Sequence, residues 1–125
     1  MKIPINRQNI LHMMGSLGGK EQVFGKEGLV LGEFDPSVEG LYRNVKAFPF
    51  NVKRKKVIII AITSDLPVDV AVVDEEGSPV TYKQAVKEGS IGPIPTGGNR
   101  EMGIILGIYQ GDKATVNVEI WMARA

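Results

Sequence analysis

The stretch that decides the fold is "KVIIIAIT", residues 56–63. It is eight residues long, rich in β-branched side chains, and apolar on both of its two-residue faces. Such a run fits a strand covered on both sides or a short buried helix. Its length and its β-branching favour the strand, because branched side chains lose χ1 freedom in a helix and pack well on a pleated surface. Immediately before it stand Lys53, Arg54, Lys55 and Lys56, so four cations abut the most apolar segment of the chain.

Reading outward, "PVDVAVVDEEG" (67–77) alternates. Val68, Val70 and Val72 point one way and Asp69, Ala71 and Val73 the other, before a turn at 74–77. In "EMGIILGIYQ" (101–110) Met102, Ile104, Leu106 and Ile108 share a face, and in "ATVNVEIWMA" (114–123) Val116, Val118, Ile120 and Met122 do. The "GDK" between them (111–113) predicts a tight antiparallel hairpin. "LYRNVKAFPFNV" (41–52) is a broken extended stretch whose Pro49 indicates an edge or a bulge. "VTYKQAVKEG" (80–89) places Tyr82, Ala85 and Val86 at helical spacing and predicts a turn or two of helix. "SIGPIPTGGN" (90–99) reads as a loop from its Gly and Pro content. Near the N-terminus, "NRQNILHMMG" (6–15) predicts a short helix and "GLVLGEF" (28–34) one more strand.

The expected fold is therefore an all-β antiparallel β-sandwich, jelly-roll-like, of about seven or eight strands with one or two short helices. Residues 1–125 form one domain in this reading, with 1–40 as an extension packed on the sheet and 41–125 as the sandwich core. Ile105, Tyr109 and Trp121 lie on the faces opposite the core, and the strand at 57–63 is apolar on both sides, so something must cover that second face. The candidates are the N-terminal forty residues or a second copy of the chain, which makes Ile105, Tyr109 and Trp121 candidate interface residues.

From Phe48 to the C-terminus the chain resembles the GOLD domain and, more loosely, pre-peptidase C-terminal-like β-sandwich modules. The resemblance rests on "FPFNV", "KVIIIAITSDLPVDVAVVDEEGSPV" and "MGIILGIYQGDKATVNVEIWMA". It implies a non-enzymatic binding or interaction module. With no cysteine in the chain, the trafficking role of secretory GOLD proteins does not follow.

Composition narrows the function classes. Fifteen Lys and Arg stand against fourteen Asp and Glu, so binding of a polyanion requires a local patch rather than a global excess. The lack of cysteine removes disulfides, thiolate metal sites and cysteine nucleophiles. No apolar run reaches membrane-spanning length and no signal-peptide core is seen, so the expectation is a soluble cytoplasmic protein without a membrane partner.

The candidate constellations are few. His12 is the sole histidine and has no partner from which to build a triad or a metal site. Asp65, Asp69, Asp74, Glu75 and Glu76 gather acidic groups, but without EF-hand spacing they read as strand and turn residues. "GSLGGKE" (15–21) lacks the spacing and the hydroxyl of a phosphate-binding loop. In "PTGGNRE" (95–101), Thr96, Asn99 and Arg100 form a candidate anion loop, against the ordinary reading of a strand connection. Arg43, Lys46, Lys53, Arg54, Lys55 and Lys56 form a candidate polyanion-binding run, against the reading that charges guard a buried strand.

The leading functional expectation is a non-catalytic protein-interaction or structural module with a protein partner or itself, including a component of a larger assembly. Nucleic-acid or polyanion binding through 43–56 is the alternative. No enzyme activity and no cofactor are expected, since nucleophile–base pairs, metal-ligand sets and cofactor loops are missing from the sequence.

Overall fold

The computed structural model describes residues 20–35, 41–109 and 111–125, with the side chains of 33–35 and 41–43 left aside. Eight strands follow one another: β1 (Lys20–Leu31), β2 (Glu33–Asp35), β3 (Leu41–Arg43), β4 (Val45–Asn51), β5 (Lys56–Val73), β6 (Pro79–Pro95), β7 (Glu101–Gly107) and β8 (Ala114–Arg124). All pairings are antiparallel, and β2 pairs only with β3. The other six strands form one sheet in the order β1-β8-β5-β7-β4, with β6 on the remaining edge of β5.

The organiser is β5. "KVIIIAIT" and "PVDVAVV" are one strand of 18 residues, not two. Even-numbered residues face the core on both arms: Ile58, Ile60 and Ile62 before the bend, Val68, Val70 and Val72 after it, while Leu66 at the bend is exposed. The bend falls at 65–67, where neither neighbouring strand is in register and Pro67 has no N–H to leave unpaired. The Ser64 hydroxyl donates to the Leu66 carbonyl at 2.6 Å, and Asp65 Oδ1 accepts from the Thr115 N–H at 2.8 Å, closing the corner.

On one edge of β5, β8 covers Lys56–Ser64 and β7 covers Asp69–Val73, so these two strands run in tandem around the bend. On the other edge β6 accompanies β5 along its length. The ribbon therefore folds back on itself, and β1 beside β8 comes to face β4 beside β7 across the core. No backbone ladder joins β1 to β4. The seam is closed by side chains: Phe24 lies 5.5 Å from Phe48 and 6.3 Å from Phe50, ring centre to ring centre, and Lys26 Nζ sits 5.5 Å over the Phe48 ring.

This architecture corrects the expected fold in several places. The class is all-β and antiparallel, but the two separate sheets of a jelly-roll-like sandwich are replaced by a single six-stranded sheet curled into a half-barrel. No helix occurs among the described residues. "VTYKQAVKEG", expected as helix, and "SIGPIP", expected as loop, are both parts of β6. A long partner strand outweighs a three-residue periodicity, and an edge strand accommodates Pro79, Pro93 and Pro95 because one of its edges needs no donors. β7 and β8 are not a hairpin, because each pairs with β5 rather than with the other. The helix expected at 6–15 lies outside the described residues.

β5 is covered on both faces. Ile59 and Ala61 form a second buried cluster with Trp121 and Ala123 on the side away from the main core, and Trp121 is only 4% exposed. The expectation that residues 1–40 provide the cover falls largely on residues outside the described ones.

Candidate functional site

The turn that joins β4 to β5 carries the four cations, and its shape is set by one threonine. Thr96 is fully buried. Its hydroxyl donates to the Lys53 carbonyl at 2.7 Å and accepts the Lys56 N–H at 2.9 Å. The Thr96 N–H donates to the Lys56 carbonyl, the Lys55 N–H to the Gly97 carbonyl, and the Val52 N–H to the Arg100 carbonyl, each at 2.9 Å. The two loops read separately in the sequence, 53–56 and 96–100, are thus one hydrogen-bonded unit. Lys55 at the tip takes a left-handed φ of 58°, an uncommon conformation for a residue with a Cβ.

The same unit turns Lys53 and Lys56 toward the ends of two other strands. Lys53 donates its backbone N–H to Met122 Sδ at 3.2 Å, and Lys56 stands opposite Arg124 in the β5–β8 ladder. Lys20 opens β1 opposite Ala123. Lys20, Lys53, Lys56 and Arg124 consequently line one open hollow of about 210 Å³, floored by Met122 and Ala123. Glu21 is its one carboxylate, 3.9 Å from Lys53 Nζ with both groups well exposed. An adjoining hollow of about 330 Å³ shares Glu21, Lys53 and Met122 and continues along Gln22, Val23, Asn51 and Val52.

The six-cation run of the sequence is divided by the fold. Lys46 lies opposite Leu106 and Asn51 opposite Glu101, so Lys46 stands about 17 Å up β4 from the strand end that leads into Lys53. Arg43 belongs to β3, in register with Glu33. Arg54 and Lys55 are exposed at the turn tip. In place of Arg43 and Lys46, the fold supplies Lys20 and Arg124, from opposite ends of the described chain. Sequence reasoning missed both; the signal for them is the β5–β8–β1 register, which single-sequence periodicity does not contain.

The candidate anion loop already holds an anion of its own. The Arg100 N–H donates to Glu75 Oε2 at 3.0 Å, and the Glu75 N–H donates to Asn99 Oδ1 at 3.2 Å. Asn99 also donates through Nδ2 to the Thr96 carbonyl at 2.9 Å. Asn99 thus bridges Glu75 and Thr96 within the loop, and Glu75 takes the Arg100 backbone N–H.

Of the acidic residues, Asp65, Asp69, Asp74 and Glu75 each accept from a backbone N–H. Asp69 Oδ1 accepts from Ala85 at 3.0 Å, while Asp74 Oδ1 accepts from Glu76 at 3.0 Å and Ser78 at 2.9 Å. Among the described residues no three His, Cys, Asp or Glu side chains are placed to hold a metal ion. None of the helices needed to cross a membrane occurs among them either. Of the candidate interface residues, Trp121 is buried, Ile105 is half-buried on the outer face of β7, and Tyr109 is 80% exposed beyond the end of β7.

Fold and hollow together define an all-β antiparallel module, a curled six-stranded sheet with a cationic concavity at one end. No protein-family model matches the chain, and no curated protein matches it. Among solved structures it is similar to a carbohydrate-binding module, CBM36 in complex with calcium and xylotriose. The identity is 16%, the TM-score 0.43, and the match covers 84% of this chain and 99% of that one. No family match supports the resemblance to GOLD or pre-peptidase C-terminal-like modules.

Proposed function

We propose that the chain is a non-catalytic binding module that holds an anionic polymer at the cationic hollow between the β4–β5 turn and the ends of β1 and β8. The observation that carries this reading is the convergence of Lys20, Lys53, Lys56 and Arg124 on one concavity with a single carboxylate among them. Four cations lining one hollow repel, so they gain from an anion placed between them. The rim is solvent-exposed, which makes the interaction dependent on salt.

The hollow has no aromatic wall. Phe48 and Phe50, the rings nearest Lys53 in sequence, face Phe24 across the seam instead. Bases would find nothing to stack on, so recognition runs through closely spaced sulfate or phosphate groups and not through nucleobases. Retention on immobilised heparin at low salt tests the reading. Retention should fall when Lys53 and Lys56 are both changed to Ala and should not change in Lys46→Ala. A chain that passes through heparin unretained at low salt overturns it.

A further inference from the structure

The far end of the curled sheet carries a second cavity, unrelated to the cations. It measures about 360 Å³, within the usual range of small-ligand sites, and lies where β5, β6 and the end of β7 meet. It is built by a bulge. Val70 pairs with Lys83 and Val68 with Val86, so Gln84 and Ala85 of β6 together oppose the single residue Asp69 of β5. Ala85 takes a left-handed φ of 54°, and its N–H is held by Asp69 Oδ1 at 3.0 Å. Gly107, opposite Asp69 in the β5–β7 ladder, contributes bare backbone to the wall.

Polar and aromatic groups converge on this cavity. Gln84 and Asp69 enter from the bulge, Asp112 and Tyr109 from the connection between β7 and β8. Tyr109 is 80% exposed, and Tyr82, 55% exposed, reaches Gln84 Nε2 through its hydroxyl at 3.5 Å. Both exposed large aromatic side chains among the described residues thus belong to this one corner.

The geometry points to a binding site for a neutral saccharide, with Tyr109 as its stacking platform. An anion is disfavoured, because Asp69 and Asp112 line the cavity and no Lys or Arg does. A bare or organic cation would use the carboxylates but leave without a role the Tyr109 hydroxyl and the Gln84 amide N–H that is not directed at the Tyr82 hydroxyl. A neutral polyol uses donors and acceptors together. Its C–H face meets an exposed ring, and its hydroxyls meet a carboxylate and an amide, the mix of apolar surface and a few placed polar groups that fixes a small ligand. This site does not depend on the cationic hollow, and either can fail without the other.

The test is an amide-resolved NMR titration of the whole chain with cellohexaose, xylohexaose, mannohexaose and laminarihexaose, and separately with spermidine. At least one hexaose should shift the amide signals of Gln84, Ala85, Gly107 and Tyr109. Tyr109→Ala, an exposed change that leaves the core intact, should weaken that sugar about tenfold, equal to about 1.4 kcal/mol. Gln84→Ala should weaken it too, whereas Lys53→Ala should not. The inference is overturned if none of the four sugars shifts these signals, if spermidine alone does, or if binding survives Tyr109→Ala unchanged.

Discussion

The hydroxyl of Thr96 donates to the carbonyl of Lys53 at 2.7 Å, one of several hydrogen bonds that fasten the turn carrying the cations to the loop that follows β6. Thr96→Val keeps the shape and removes the hydroxyl. The part-buried Lys53 carbonyl and Lys56 N–H then lose a partner, which costs about 1 kcal/mol. Denaturant unfolding should show a lower midpoint at unchanged slope. Heparin affinity should fall as well, because Lys53 and Lys56 lose their common anchor.

The seam between β1 and β4 is held by rings rather than by a ladder. Phe24→Ala should destabilise by about 2–4 kcal/mol, since it opens a gap where no backbone pairing compensates. A double-mutant cycle of Phe24 with Phe48 should return a coupling of about 0.5–1.5 kcal/mol beyond simple area loss. Additive effects would mean that the rings do not close the seam.

Gly32, between β1 and β2, has a φ of 82°, and a Cβ there would overlap the Asp112 carbonyl oxygen. Gly32→Ala therefore combines left-handed strain with a backbone clash, and should cost about 2 kcal/mol or more. Gly77→Ala has a similar φ of 84° but open space around it, so it should cost only the strain, about 1 kcal/mol. Equal losses at the two positions would contradict the close approach of the β7–β8 connection to Gly32.

Trp121 is the only tryptophan of the chain and lies in the second buried cluster with Ile59. Native emission should be blue-shifted and poorly quenched by acrylamide, and both should change on unfolding. Efficient quenching in the native state would show that the outer face of β5 and β8 is open to solvent.

These features differ in how far the sequence displays them. The inward parity of Ile58 to Val72, Met102 to Leu106 and Val116 to Met122 is legible, because a period of two is local. The two-sided burial of Ile59 is legible for the same reason. The continuity of β5 through Pro67 is not: a polar "TSD" followed by Leu66 and a proline reads as a break, and only partners on both flanks hold the strand together across it. β6 is hidden because its Gly and Pro residues and its spaced apolar positions imitate loop and helix, while the pairing with β5 decides the outcome. The "GDK" connection looks like a hairpin because turn chemistry does not reveal which strand the chain will join next. The cationic hollow is half legible, through Lys53 and Lys56. Its other half, Lys20 and Arg124, appears only when β1 and β8 are laid beside β5.

The most direct test of the account is the salt dependence of binding to a heparin-derived oligosaccharide, measured by fluorescence anisotropy for the parent chain and for single Ala variants of Lys20, Lys53, Lys56, Arg124 and Lys46. Each cation that contacts the polymer releases condensed counterions, so its removal should reduce the slope of log affinity against log salt by about one. The slope should fall for Lys20, Lys53, Lys56 and Arg124 and stay unchanged for Lys46. Equal reductions at Lys46 and Lys56, or no measurable affinity of the parent chain at low salt, would contradict this.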